Sequence, residues 1–342
     1  MKKIIKFIKH NYKFIIGFMF GLIVASSSVY AANTIYSKNV TYDNSNSGLE
    51  ATNVQDALDE TYTKCFPPVL ATDKIMNLYN DGSNITEATI TSYNPKVYLN
   101  TVQKIMLDGY GNYRYYGKSV NNYVKFNDEL WRIIGVFPDI DDGTGKKETR
   151  LKIIRSESIG SYAYYSSDYG LLDLLGTLYY NSQSGSCYTD EICDFTSIGL
   201  NSTARSMIDN AKYASGSVGY CVEYDAYSYY EGEMPFNNTR KIGLITPSDF
   251  VFARDYSFSS FDDKKNANWL SFLNSSWTMV SDEMLGTESG INFINGSKVE
   301  DNCNGSGYPE SNKKVFPVVY LKSGVIINGG SGTESDPYTL KL

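Results

Sequence analysis

Asn127-Asp128 stands between two alternating apolar runs in Tyr123–Val136, YVKFNDELWRIIGV, and no other stretch constrains the fold as much. A polar pair at that place is a short-range signal for a two-residue hairpin turn. Such a turn puts Val124, Phe126, Trp131 and Ile133 on one face and Tyr123, Leu130 and Ile134 on the other. Both faces are apolar enough to be covered, and Leu151–Arg155, LKIIR, is expected as a third strand beside the hairpin. Lys125 and Arg132 have no histidine or cysteine near them, so the hairpin is expected to be scaffold. A ligand is expected at loops away from it and not against Trp131.

The single histidine of the 342 residues, His10, lies in the N-terminal leader. Ser-His-Asp and Cys-His catalysis, histidine-ligated zinc and histidine general bases are therefore excluded downstream. Carboxylate-only, lysine and tyrosine chemistries survive that filter. The composition, 42% hydrophobic and 20% charged with 30 tyrosines, is that of a globular chain. Residues 1–31 hold Lys2, Lys3, Lys6, Lys9 and Lys13 and no acid, so the rest of the chain sets 26 basic groups against 38 acidic ones. An acidic body of this kind disfavours nucleic acid and anionic lipid as partners, since both need a basic face.

The leader joins those lysines to an apolar run, Phe14–Ala25, followed by small residues. Val29 and Ala31 occupy the −3 and −1 places of a signal-peptidase site. The rival expectation is an uncleaved anchor over Phe14–Ala32, about the ~20 residues a bilayer requires. Either way the body is expected outside the cell, secreted or held at the surface through its N-terminal segment. DPYTLKL at the C-terminus carries neither a sorting motif nor an apolar tail.

The expected domains are a leader over residues 1–32, a neck over 33–65 and an α+β domain over 66–342, with its core at about 98–342. In the neck, Thr52 or Asn53 caps a short helix with Val54, Ala57, Leu58, Thr61 and Tyr62 on one stripe. The segment VTYDNSNSGLEATNVQDALDE resembles those near the necks of phage tail fibres and bacterial surface fibres, which implies a homo-oligomer formed through the neck. Beyond Cys65-Phe66-Pro67-Pro68, helices are expected over 72–79, 99–107, 169–180 and 200–214. Strands are expected at 241–245, 269–280, 290–296 and 315–321, with a strand–turn–strand ending. Residues 137–150 are expected as a polar loop; setting Gly143 at position six of a calcium loop puts Pro138 and Ile140 where ligands belong. Ser248 or Asp249 is expected to cap a turn after KIGLI. Helices and strands mix without regular alternation, which favours α+β over a doubly wound sheet.

Five cysteines in an exported chain suggest disulfides. Cys187 and Cys193 are the closest pair, Cys221 and Cys303 a candidate long-range staple, and Cys65 is left over. With no CxxC and no histidine, neither metal nor cofactor is expected. Tyr224, Tyr227, Tyr229 and Tyr230 lie in a run, EYDAYSYYEGE, whose aromatic rings beside carboxylates suit stacking on sugars. The acids there, Glu223, Asp225, Glu231 and Glu233, also allow a carboxylate pair of the glycosidase kind. GGSGTES lacks the ending of a phosphate loop and is expected to be a turn. Trp269 and Trp277 are expected in the core.

RYYG, NNYVKFNDELWRIIGV, LKIIRSESIGSY, YYNSQSGSCY, CDFTSIGL, IGLITPSD and FPVVYLKSGVIINGGSGTESDPYTL, in that order over residues 98–342, resemble a family of uncharacterised exported proteins of AT-rich Gram-positive gut bacteria. That resemblance implies export and no particular activity. Trp277–Val280, Ile291–Ile294 and Val315–Leu321 are also similar to the closing strands of C-type-lectin-like or formylglycine-generating-enzyme-like bacterial domains, with Phe316 where that pattern places arginine. The sequence thus points to a non-enzymatic, exported surface protein with a lectin-like α+β domain that binds a glycan or a protein. A carboxylate-dependent glycan hydrolase and a structural fibre subunit are the alternatives.

Overall fold

The structure is a computed structural model that describes residues 13, 39–65, 68–81, 84–90, 96–166, 169–188, 191–219, 225–258, 263, 266–283, 291–300 and 308–342. The chain divides into two compact units, residues 1–68 and residues 69–342. Among the described residues no helix is long and apolar enough to cross a membrane, and Phe14–Ala32 falls outside them.

The described part of the first unit is a loop fastened to helix α1 (Val54–Cys65). The Asn53 side chain accepts from Asp56 N at 2.9 Å, which makes Asn53 the helix cap. Glu60 reaches back to the amides of Glu50 and Ala51 and pairs with Lys64 at 2.8 Å. Ala57 is buried, whereas Leu58, placed by its periodicity on the packing stripe, is 59% exposed. Cys65, at the end of α1, is exposed and free.

The second unit is mixed α+β and mostly sheet. Strands β1 (Val69–Leu70), β2 (Ile85–Thr89), β3 (Lys96–Asn100), β4 (Ile105–Leu107), β5 (Tyr113–Tyr115), β6 (Tyr123–Phe126), β7 (Glu129–Asp141) and β8 (Lys147–Arg155) belong to one eleven-stranded sheet. Val318–Tyr320, Ile326–Gly329 and Tyr338–Lys341 complete it. The helices are α2 (Ala71–Asn80), α3 (Leu171–Leu174, prolonged by a π-turn over Leu175–Tyr179), α4 (Ser202–Met207), α5 (Ala226–Glu233) and α6 (Pro247–Phe252). A six-stranded sheet centred on Ser276–Glu283 packs beside them.

The hairpin forms as its residues predict. Phe126 pairs with Glu129, and Asn127 and Asp128 take φ of +58° and +61°, the type I′ geometry whose twist matches the strands. Val124, Phe126, Trp131 and Ile133 are buried, and β8 pairs along β7 from Trp131↔Arg155 onward. The polar loop expected over 137–150 is mostly strand: β7 continues to Asp141 and β8 starts at Lys147, so only a short turn is left. Two bulges, at Ile133/Gly135 and Phe137/Ile140, let so long a strand bend. At the first of these β5 crosses β7 so closely that a Cβ on Gly135 would lie 2.2 Å from Tyr113 O.

Other expectations need correction. Residues 99–107 are not helical: Asn100 ends β3, accepts from the amides of Val102 and Gln103, and turns the chain into β4. Residues 200–214 split into α4 and a strand over Ala211–Ala214, because Ile208 bridges to Leu321 and draws the chain off the helix. KIGLI makes a single bridge, Gly243 to Val318. Trp269–Leu273 is a 3-10 turn, with the strand starting only at Ser276. Short apolar runs do not tell helix from strand by period alone, and pairing partners from elsewhere decide. Trp269 and Trp277 are buried, each donating its indole N–H to a backbone carbonyl. The Cys187–Cys193 disulfide closes a small hairpin with the two Cα atoms 5.6 Å apart. Cys221 and Cys303 lie outside the described residues.

Candidate functional site

A cavity of about 650 Å³ opens where the far half of β7 meets α5 and α6. Its walls are aromatic and apolar: Phe137, Ile140, Tyr230, Met234, Phe236 and Tyr320. Asp139, Asp141, Lys147 and Lys212 ring its mouth, where Lys212 pairs with Asp141 at 2.9 Å. Arg114, Lys152, Glu233 and Asp249 form a charged floor, and none of the four is more than 3% exposed.

Each floor residue is placed by its own element. Alternation along β5 turns Arg114 inward, where its guanidinium lies over the rings of Phe137 and Phe252 at 4.6 and 4.5 Å. Its Nε donates to Asp108 at 2.8 Å and its Nη1 to Asp249 at 2.7 Å. Asp108 is itself held by the amides of Tyr110 and Asn112, both at 2.9 Å. Lys152, opposite Gly135 on β8, donates to the other oxygen of Asp249. Asp249 owes its place to the N-terminus of α6. Thr246 is the cap, not Ser248 or Asp249, and Thr246 and Asp249 satisfy each other's amides as a capping box with Pro247 in the first turn. Ser248 donates its amide and hydroxyl to Glu233, at 2.6 and 2.7 Å.

These contacts set the ionisation. Burial works against the charge on Arg114, but Asp108 and Asp249 outweigh it and hold the guanidinium above its ordinary value. Burial likewise opposes the Asp249 carboxylate, and Lys152 and Arg114 overcome it, so its pKa is lowered. Glu233 goes the other way: burial, then the negative charge of Asp249, push it up to about 7, against the pull of the Ser248 bonds. Two neighbouring carboxyls are thus driven apart, one charged and one titrating near neutrality.

The tyrosine run is divided by this geometry. Asp225 caps α5 through the amides of Tyr227 and Ser228. Tyr227 and Tyr229 are buried, Tyr227 accepting from Gly109 N at 2.7 Å, whereas Tyr230 lines the cavity. Tyr110 stacks on Tyr230 with centroids 4.4 Å apart and donates to Glu231 at 3.0 Å, tying the loop after β4 to α5. Tyr224 and Glu223 lie outside the described residues. Of the described acids suggested for a carboxylate pair, Asp225, Glu231 and Glu233, only Glu233 reaches the cavity, and its neighbour there is Asp249. Trp131 does not line it. Sequence reasoning missed Arg114, Lys152 and Asp108 altogether. The one local signal was Thr246-Pro247-Ser248-Asp249, a capping box that places a carboxylate at a helix start.

Among the described residues no cluster of histidine, cysteine and carboxylate could hold a metal ion. No protein-family model, curated protein or solved structure matches the chain.

Proposed function

We propose that this is an exported cell-surface protein whose second unit is a ligand-binding domain, and that the cavity over Arg114 is its binding site. The observation that carries this reading is the cavity itself: apolar and aromatic walls around a few convergent charged groups, at a volume that fits a small ligand. Export rests on the leader, and lectin-like character rests on the resemblance of the closing strands. A glycan or a protein terminus is the kind of ligand such walls suit, by stacking on aromatic faces while the mouth offers hydrogen bonds. The test is titration of the intact protein against a glycan and peptide panel. Tyr230→Ala and Phe236→Ala are expected to lower affinity at least about tenfold, the effect of losing roughly 1.4 kcal/mol of contact. Binding that is equal in wild type and both variants would place the ligand elsewhere. Cell fractionation with N-terminal sequencing of the mature chain tests export.

The pairing of a protonatable Glu233 with a charged Asp249 supports hydrolysis as a second reading. Binding is favoured because both oxygens of Asp249 are held by cations and both of Glu233 by Ser248. Release of reducing sugar from any glycan that binds, lost in Glu233→Gln, would reverse that preference. Exposed Leu58 and Cys65 on α1 support self-association through the neck, and a monomer by sedimentation at high concentration would remove it.

A further inference from the structure

Arg114, on the floor of the cavity, has a nitrogen with no acceptor among the described residues. Arg114 is 2% exposed, and its Nε and Nη1 are engaged by Asp108 and Asp249, but among the described residues no atom accepts from its buried Nη2. Flanking rings of Phe137 and Phe252 at 4.6 and 4.5 Å restrict the guanidinium to partners in its own plane. A buried donor on a charged group left without an acceptor is costly, so a side-chain shift in the lining that lets an acceptor from the cavity reach Nη2 is favoured. Around that donor the fixed charges balance: Arg114 and Lys152 are set against Asp249 on the floor and Asp108 behind it, and the mouth holds Lys147 and Lys212 with Asp139 and Asp141, Lys212 pairing with Asp141. An incoming acceptor that carries one negative charge therefore meets no net opposing charge while Glu233 is protonated. The walls, meanwhile, offer Tyr230, Phe236 and Tyr320 to the C–H face of a ring.

We propose that the ligand is an acidic sugar, a hydroxylated ring whose carboxylate accepts from Arg114 Nη2 at the floor while the ring stacks on the aromatic wall. This rests on the cavity being the binding site. It also gives the site a pH response. Among the described residues, Asp249, Lys152, Tyr230 and Tyr320 are charged or titratable groups around Glu233, with Arg114 paired to Asp249 beside them, and the two tyrosines stay neutral because burial raises their pKa. Glu233, which titrates at about 7, is then the group that changes charge near neutral pH, and above that value it repels a bound carboxylate.

The experiment is calorimetric titration of the intact protein with galacturonate and glucuronate, with galactose and glucose as rings lacking the carboxylate, and with acetate as a carboxylate lacking the ring. The expected result is a uronate bound at least about tenfold more tightly than its neutral sugar at pH 6, with a loss of about tenfold in uronate affinity by pH 8. Glu233→Gln is expected to keep uronate affinity flat across that range. Arg114→Lys, checked for folding by circular dichroism, is expected to abolish the preference. Should that variant not fold, the pH series and Glu233→Gln still decide. Equal binding of uronate and neutral sugar, lost in Tyr230→Ala, would overturn the carboxylate proposal and leave the cavity as the site. Acetate binding as tightly as a uronate would overturn the sugar ring. Binding of none of these, with a ligand from another class found and retained in Tyr230→Ala, would overturn both the proposal and the cavity reading.

Discussion

The two halves of β7 solve opposite problems with the same backbone. Its first half, Glu129–Ile133, packs Trp131 and Ile133 into an apolar core, with no exposed surface on either. Its second half, Phe137–Asp141, borders a cavity whose floor holds two cations and two acids at no more than 3% exposure. The apolar side chains of the first half gain from their removal from water. The charged half is stabilised only because each ion has a partner, and a buried pair is a weaker source of stability than an apolar core of similar volume. On the binding reading proposed above such a floor serves a ligand, whereas the hairpin core needs no explanation beyond folding.

Substitutions at the two ends should separate these problems. Trp131→Ala is expected to cost about 4 kcal/mol in urea unfolding, the transfer and cavity cost of a large buried side chain, with no change in the pH profile. Arg114→Ala is expected to cost about 3–5 kcal/mol, because it leaves Asp108 and Asp249 short of their shared partner. That loss should shrink at acid pH as the orphaned carboxylates protonate, and a loss independent of pH would make Arg114 mere packing. Lowering the pH acts on Asp249 in the wild type too: its depressed pKa contributes stability at neutral pH that is lost as pH falls through the folded value.

Glu233 has the opposite sign. Its pKa rises from 4.5 to about 7 on folding, so its contribution is complete below 4.5 and is lost as pH rises through about 7. The full swing is about 3 kcal/mol, and Glu233→Gln should remove that slope from stability measured between pH 5 and 8. An unchanged slope would place the titration elsewhere. Reduction of Cys187–Cys193 should cost about 2 kcal/mol for so short a loop, read from unfolding with and without reductant. Smallest of all, Asp128→Gly at the hairpin turn should change stability by less than about 1 kcal/mol. Relief of the positive φ is offset there by the lost bond to Asn201 at 3.1 Å.

The hairpin was legible because its signal is local: a turn pair, a period of two, and a partner strand one loop away. The helices α1 and α2 were legible for the same reason. Residues 99–107 were not, since a run that short fits helix or strand until Asn100 meets its turn amides. The tyrosine run was visible as a cluster, but nothing in it distinguished Tyr230, which lines the cavity, from Tyr227 and Tyr229, which fill the core.

What the sequence determined by itself was the hairpin, the mixed α+β class, the Cys187–Cys193 pair, and the chemistry denied to a body without histidine. Each follows from neighbours in the chain or from composition. Tertiary structure alone decided the floor of the cavity. Arg114 and Asp249 stand 135 residues apart, and Lys152 and Asp249 97 apart. Their charges matter only once desolvation forces them together, an energy that no single segment carries.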